Sequence, residues 1–214
     1  MPYPSKTDRQ TILSAAVKGL AHRGIRDLSL RNLAASLDLA PNAIYRYFSD
    51  RSALEAALAN EAARQLELAL RKAADGCEPV TAIRKMSSSY IKFARDNRHL
   101  YEVMMSPHAP EHDAPFLQSL WTFTVEQVQR ITGSDRAAHA SVALWAFLHG
   151  AVALEAAQVL GERKPASGLE FGLDAWLMAV SRRGEPIEAL RIKPTKKKAN
   201  KKVSAGESSV RSGK

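Results

Sequence analysis

The sequence contains a single cysteine, Cys77, in 214 residues, so no disulfide bond can form within the chain. A lone thiol is typical of a reducing compartment, and the starting segment MPYPSKTDRQ does not contain the apolar core of a signal peptide. No run of 18 uninterrupted apolar residues is present, which argues against a membrane span. From these absences we expect a cytoplasmic protein that does not interact with a membrane.

Aromatic residues make up 7% of the chain although hydrophobic residues make up 45%, and alanine is abundant. This composition favours packed helices, and the length suffices for one large or two modest domains. Motifs for catalysis are missing as well: no glycine-rich phosphate loop follows a strand pattern, and no nucleophile–base motif of a known type is present. We therefore expect an all-α protein that is not an enzyme and that needs no cofactor.

Acidic residues are scarce at the end of the chain. Between residues 191 and 214 there are nine Lys or Arg and one Glu, so the other 190 residues carry only +1 of the total charge of +9. This Lys-rich and then Ser/Gly-rich tail cannot build a hydrophobic core, and we predict that it is disordered. It either adds salt-sensitive, sequence-independent affinity for DNA or merely solubilises the chain.

The segment 29–48, SLRNLAASLDLAPNAIYRYF, contains two short helical patterns in succession. The first has an apolar residue at each position of one helix face, with Ser29 in front as its N-cap. The second begins at Pro41, which suits the first helical position, and its inward anchors are Ile44 and Phe48. The pattern predicts a helix-turn-helix, whose second helix lies in the major groove of DNA; an ordinary helical hairpin is the alternative.

Residues 7–59 as a whole resemble the DNA-binding domain of the TetR family of transcriptional regulators. The similarity rests on an Ile-Leu-x-x-Ala start, Gly24 after the first helix, and a Tyr-x-x-Phe ending. The resemblance implies that Tyr45 and Tyr47 contact phosphates and that Arg51 contacts the DNA backbone. Tyr47 and Arg51 stand where the family more often has His and Lys.

We place a three-helix helix-turn-helix DNA-binding domain at 6–66. Outward-facing amide, phenol and guanidinium groups suit base edges and phosphate oxygens, so Asn42, Tyr45 and Arg46 are expected to approach base edges. Four other residues are expected to hold the backbone: Thr7, Ser29, Tyr47 and Arg51. The complete predicted DNA-binding set is Thr7, Ser29, Leu30, Arg31, Ala40, Pro41, Asn42, Ala43, Tyr45, Arg46, Tyr47 and Arg51.

We expect a capping box at Thr7 and Gln10 for the first helix and another at Ser52 and Glu55 for a long fourth helix.

A second apolar body follows, at 75–186. Its helices are predicted near 80–97, 98–105, 115–132, 135–160 and 168–183. The segment LWAFLHGAVALEAAQVL resembles a regulatory domain named for its Trp-His-Gly motif, found in one TetR branch, and the matching positions are Trp145, His149 and Gly150.

This body is predicted to bind a ligand and to dimerise. Small residues crowd its last two long helices, and the resemblance implies a homodimer in which they form a four-helix interface. Two paired heads would read a palindromic operator on double-stranded DNA, because one short helix reads too few base pairs. Large soft side chains either fill the core or line a cavity for an unknown small apolar effector. They are Met86, Tyr90, Phe93, Met104, Met105, Phe116, Trp121, Trp145, His149 and Trp176.

These patterns predict a sequence-specific transcriptional regulator, a homodimeric repressor that a small molecule releases from its operator. The alternative is a non-specific nucleic-acid-binding protein driven by the Lys-rich tail. A third hypothesis is a small helical enzyme with a metal on His108, Glu111 and His112, near Asp113. Pro107 and Pro110 forbid a regular helix there, so we predict no metal site.

Overall fold

A computed structural model of the chain describes residues 7–25, 28–106, 115–159 and 165–181. All of them belong to one compact unit, Met1–Arg183, while Gly184–Lys214 form a second unit that lies outside the described residues. Throughout the described ranges the regular secondary structure is helical, without a strand. The helices are α1 Arg9–Arg23, α2 Leu30–Ser36, α3 Pro41–Tyr45, α4 Arg51–Ala74, α5 Pro79–Asp96, α6 Arg98–Met105, α7 Pro115–Thr132, α8 Ser134–Ala156 and α9 Pro165–Ser181.

Helix ends in the N-terminal head follow local capping chemistry. Ser29 is the N-cap of α2, and its hydroxyl oxygen accepts a hydrogen bond from the Asn32 amide at 3.2 Å, as predicted. The two predicted capping boxes were wrong. Asp8 rather than Thr7 caps α1, and Asp50 rather than Ser52 caps α4, because a carboxylate one position after Thr7 and one two positions before Ser52 accept the orphan amides.

The core of the head forms where α1, α2, α3 and the start of α4 meet. Ile12 and Leu20 of α1 are fully buried, as is Leu54 of α4. Ile44 and Phe48 are buried against them, which confirms that they anchor the second short helix. Fully burying such side chains contributes about 1.5–3 kcal/mol each, so five residues of α3 need no intrinsic stability to be held in place.

Helix α4 connects the head to the body. Its first turns pack in the head, and its later turns pack against α5, α6 and α7. In the body, α7 and α5 also pack on α8, and α9 packs on α8. Two predicted boundaries near the end were inaccurate, because α8 stops at Ala156 and α9 begins at Pro165.

Among the described helices, α8 has the length and apolar composition of a membrane span. Of its most apolar 18-residue segment, 28% is buried within the protein. One such helix is weak support for a membrane, since helices of soluble proteins pass the same test. Gly150 in α8 was expected to allow a close helix contact, yet no described atom lies within 4 Å of the position of an added Cβ. The close contact instead involves Gly172 of α9, where an added Cβ would overlap the Phe147 ring.

Candidate nucleic-acid interface and interior cavity

The turn between α2 and α3 sets the angle of the second short helix. The Leu39 amide donates to the Ala34 carbonyl at 3.0 Å, and Asp38 between them adopts a positive φ of 53°. Aspartate tolerates this left-handed conformation better than most residues do. Asp38 was not singled out in the sequence, because no glycine marks the turn there.

The outer face of α3 consists of Asn42, Tyr45 and Arg46, and all three side chains are exposed. Tyr45 has 52% of its surface accessible, although it directly follows the fully buried Ile44. The arrangement presents an amide, a phenol and a guanidinium together, which can donate to base edges and phosphates.

Tyr47 and Arg51 are engaged inside the head. The Tyr47 hydroxyl donates to the Thr7 carbonyl at 2.8 Å, which ties the end of the helix-turn-helix to the start of α1. Arg51 donates through Nη2 to the Ile25 carbonyl at 2.8 Å and through Nε to Glu55 at 2.7 Å. These contacts join separate segments of the head, so both residues have a structural role, and a DNA contact by either would be additional to it.

The remaining predicted contacts lie around the same edge. Arg31, Ala40 and Pro41 are exposed, Thr7, Ser29 and Ala43 are half-buried, and the Leu30 side chain is buried in the core. Leu30 can therefore approach DNA only through its backbone amide. Its place among the predicted DNA contacts reflects its position at the start of α2 rather than an available side chain.

We expect Tyr47→Phe to destabilise the head by about 1 kcal/mol, because it removes one part-buried hydrogen bond, the one to Thr7, without changing the packing of the ring. Urea unfolding followed by circular dichroism measures the change. Tyr45→Phe is the matched control and should leave the midpoint unchanged. Equal midpoints for the two variants would contradict the structural role of the Tyr47 hydroxyl.

The body contains an apolar cavity of about 330 Å³ between α4, α5, α6, α7 and α8. Six of the ten residues predicted for a ligand pocket line it: Met86, Tyr90, Met104, Met105, Trp121 and Trp145. The remaining lining comes mainly from leucines and an isoleucine, which the sequence did not distinguish from core residues. No charged side chain is among its described lining residues.

Four predicted pocket residues lie elsewhere. Phe93 is buried outside the cavity lining, and Phe116 is exposed at the start of α7. Trp176 donates from its indole nitrogen to the Ala140 carbonyl at 3.2 Å, which joins α9 to α8. His149 lines a separate, more polar groove between α5, α6 and α8.

A chain of side-chain hydrogen bonds connects the cavity to that groove. The Trp145 indole N–H donates to the Tyr90 hydroxyl at 3.2 Å. The hydroxyls of Tyr90 and Tyr101 are 2.7 Å apart, and the Tyr101 hydroxyl is 2.6 Å from Nδ1 of His149. Burial raises the pKa of both phenols above the ordinary value, so both are neutral hydroxyls at physiological pH.

No group of three or more metal-ligating side chains occurs within the described part of the chain. The candidate ligands His108, Glu111, His112 and Asp113 lie outside it, between α6 and α7. The metal hypothesis thus gains no support from the surrounding helices.

Two family models match the chain. The model described as bacterial regulatory proteins, tetR family, matches residues 12–58, which include the helix-turn-helix. The model described as tetracyclin repressor-like, C-terminal domain, matches residues 83–175, which include most of the cavity lining. A comparison with curated protein sequences gives no match.

Solved structures share this architecture. A protein of unknown function from Rhodococcus sp. RHA1 superposes with a TM-score of 0.71 at 24% identity, over 85% of this chain and 100% of that chain. A TetR transcriptional regulator from Streptomyces coelicolor gives 0.69 at 19% identity, over 84% and 100%. A TetR variant from Acinetobacter baumannii AYE in complex with minocycline gives 0.64 at 20%, over 81% and 96%. At these identities the similarity establishes a common fold.

Proposed function

This chain belongs to the tetR family of bacterial regulatory proteins and is a DNA-binding transcriptional regulator, and we propose that it is a cytoplasmic homodimeric repressor that leaves its operator when a small molecule occupies the cavity. Membership of that family places it among transcription factors and not among enzymes. The observation that carries the proposal is the exposed outer face of α3 above a fully buried Ile44.

The DNA end of the proposal rests on how α3 is held. Burial of Ile44 and Phe48 fixes the helix, and the hydrogen bonds of Tyr47 and Arg51 fix its two neighbours, α1 and α4. A rigid support matters because base recognition requires donors and acceptors at fixed positions. The outer face can therefore enter a major groove without rearrangement of the head.

Dimerisation is supported by apolar surface that α8 and α9 leave uncovered. Val142 of α8 is 53% exposed, and Phe171 and Met178 of α9 are 77% and 59% exposed. Phe171 and Met178 are seven residues apart and so lie on one helix face, with the exposed Ala175 between them. A contiguous apolar face of this kind is characteristic of a protein–protein interface, and a second copy of the chain is the partner that a palindromic operator calls for.

Ligand control is supported by the two helices that reach both ends of the molecule. Leu66 and Leu70 of α4 line the cavity, and the same helix carries Arg51 in the head. Helix α6 contributes Met104 to the cavity, while its His99 ring lies 3.4 Å from the position of a Cβ on Gly24 at the end of α1. A ligand that binds more tightly to a conformer with wrongly spaced heads would release the operator to that extent.

Footprinting of the full-length protein on the DNA upstream of its own gene tests the proposal. We expect a protected palindromic site that survives competition by a large excess of unrelated duplex, and a shorter chain ending at residue 192 should protect the same site. Removing the tail should lower the overall affinity and its salt dependence, because the eight cationic side chains of residues 193–214 are lost.

The alternative, non-specific coating of nucleic acid by the basic tail, predicts the opposite pattern. Protection would then disappear with the tail and would be abolished by unrelated competitor DNA. That outcome, with correct folding shown by circular dichroism, would refute the repressor proposal.

A further inference from the structure

The following inference rests on the proposed ligand control. We propose that the cavity accepts an uncharged, ring-containing apolar molecule with one hydrogen-bond acceptor, and that the Tyr90 hydroxyl donates to this acceptor. Recognition of the acceptor then reverses the direction of the hydrogen bonds from Tyr90 through Tyr101 to His149.

The class of ligand follows from the described lining. An ionised ligand would be buried there without a counter-charge, which is strongly unfavourable. Two indole rings line the cavity, with Trp121 and Trp145 centroids 6.3 Å apart, and the flexible thioethers of Met86 and Met104 adjoin them. These groups favour a planar apolar ring system.

Hydrogen-bonding groups are concentrated on the α5 wall. Tyr90 supplies a hydroxyl there, and Ser87 lies one turn earlier on the same wall. The Ser87 side chain is buried, and its oxygen has no hydrogen-bond partner among the described residues. A ligand polar group is therefore best accommodated towards α5, where the apolar lining is interrupted.

The direction of the hydrogen bonds between Tyr90, Tyr101 and His149 determines whether the Tyr90 hydroxyl proton is available to a ligand. Trp145 can only donate, so the Tyr90 oxygen always accepts there. When Nδ1 of His149 carries no proton, Tyr101 donates to it and Tyr90 donates to Tyr101, at separations of 2.6 and 2.7 Å. Every member of the hydrogen-bond chain is then satisfied, and neither phenol proton remains for a ligand.

When the hydrogen bonds run in the reverse direction, the Tyr90 hydroxyl proton becomes available. When Nδ1 of His149 carries a proton, it donates to Tyr101, and Tyr101 donates to Tyr90. The Tyr90 hydroxyl proton then has no partner in the chain and is available to an acceptor in the cavity. Because an unpaired buried donor is unfavourable, an acceptor that takes this proton favours the reversed hydrogen-bond chain. The proton on Nδ1 of His149 then comes from Nε2 of the same ring or from water, by exchange through the groove that His149 lines.

Three naphthalene probes of similar size test the inference by isothermal titration calorimetry on the full-length protein. They are 2-acetylnaphthalene with one carbonyl acceptor, 2-ethylnaphthalene with none, and 2-naphthoate with a charge. We expect the ketone to bind roughly 2- to 10-fold more tightly than the hydrocarbon, as one neutral hydrogen bond allows, and the carboxylate to bind least. Absence of binding by all three, equal affinities, or tightest binding of the carboxylate would each overturn the inference.

Two variants change the ketone preference in opposite directions. Tyr90→Phe removes the donor, so the preference should disappear while the hydrocarbon still binds, which reports an intact cavity. Tyr101→Phe frees the Tyr90 proton without any reversal, so the preference should be kept or increased. Loss of the preference in Tyr101→Phe would overturn the proposed hydrogen-bond chain, because the Tyr90 hydroxyl is retained in this variant. If Tyr90→Phe does not fold, Tyr101→Phe still decides.

Nitrogen-15 NMR of the imidazole rings provides the readout that packing alone would not change. The Nδ1 signal of His149, assigned by its absence in His149→Gln, should move from the unprotonated to the protonated type when wild-type protein binds the ketone. It should not move with 2-ethylnaphthalene or in Tyr101→Phe. A signal that stays unprotonated with the ketone bound overturns the reversal. Operator footprinting does not depend on these probes, so their failure leaves the regulator proposal to its own test.

Discussion

Tyr45→Ala is expected to weaken operator binding at least about 30-fold while leaving the protein folded and in the proposed dimer. Tyr45 is 52% exposed, so its removal costs the fold little, and surface substitutions of this kind usually change stability by less than 0.5 kcal/mol. At the DNA, a base contact contributes about 1–3 kcal/mol, and the proposed dimer would lose two of them. The resulting 2–6 kcal/mol corresponds to a decrease in affinity of at least about 30-fold. Fluorescence anisotropy on a labelled operator measures it.

Tyr45→Phe separates the hydroxyl from the ring. If the phenol donates to DNA, this variant should lose a large part of the affinity, whereas retention of wild-type affinity would assign the contribution to ring packing. Light scattering and thermal unfolding test whether both variants remain dimeric and folded. Wild-type operator affinity in Tyr45→Ala would remove α3 from the DNA interface.

The helix-turn-helix was predictable because short-range chemistry specifies it. Ser29 caps α2 through a contact three residues away, and Pro41 starts α3, so the relevant signals lie within one helical turn. The capping residues of α1 and α4 were mispredicted for the same local reason. Thr7 and Ser52 stood in acceptable positions, but the carboxylates of Asp8 and Asp50, within two residues of them, are stronger acceptors for the orphan amides.

Long-range contacts were not predictable from one sequence. The bond from Tyr47 to the Thr7 carbonyl joins residues 40 positions apart, and the cavity joins leucines of α4 to tryptophans of α7 and α8. Leu66 at the cavity wall and Leu58 in the core follow the same apolar pattern along α4. Periodicity identifies which face of a helix is buried, whereas only the packing of five helices decides where that face leaves space.

Phe171→Asp together with Met178→Asp is expected to convert the proposed dimer into a monomer. Both residues lie on the uncovered face of α9, and in a four-helix interface each would meet apolar side chains of the partner. Two carboxylates per chain, four per dimer, would then be buried without partners, which association of the remaining apolar surface cannot offset. Sedimentation velocity measures the change in mass.

Operator affinity should decrease when the proposed dimer dissociates, because a substitution in α9 then affects DNA binding by α3. Specific recognition amounts to about 4–10 kcal/mol, and a monomer that reads one half-site keeps roughly half of it, so affinity should fall about 30- to 4,000-fold. Leu68→Asp is the matched control, because Leu68 is 54% exposed but lies on α4. It should leave both mass and affinity unchanged. A double variant that stays dimeric would place the interface elsewhere, and a monomer with wild-type affinity would mean that a single outer face of α3 suffices to hold the operator.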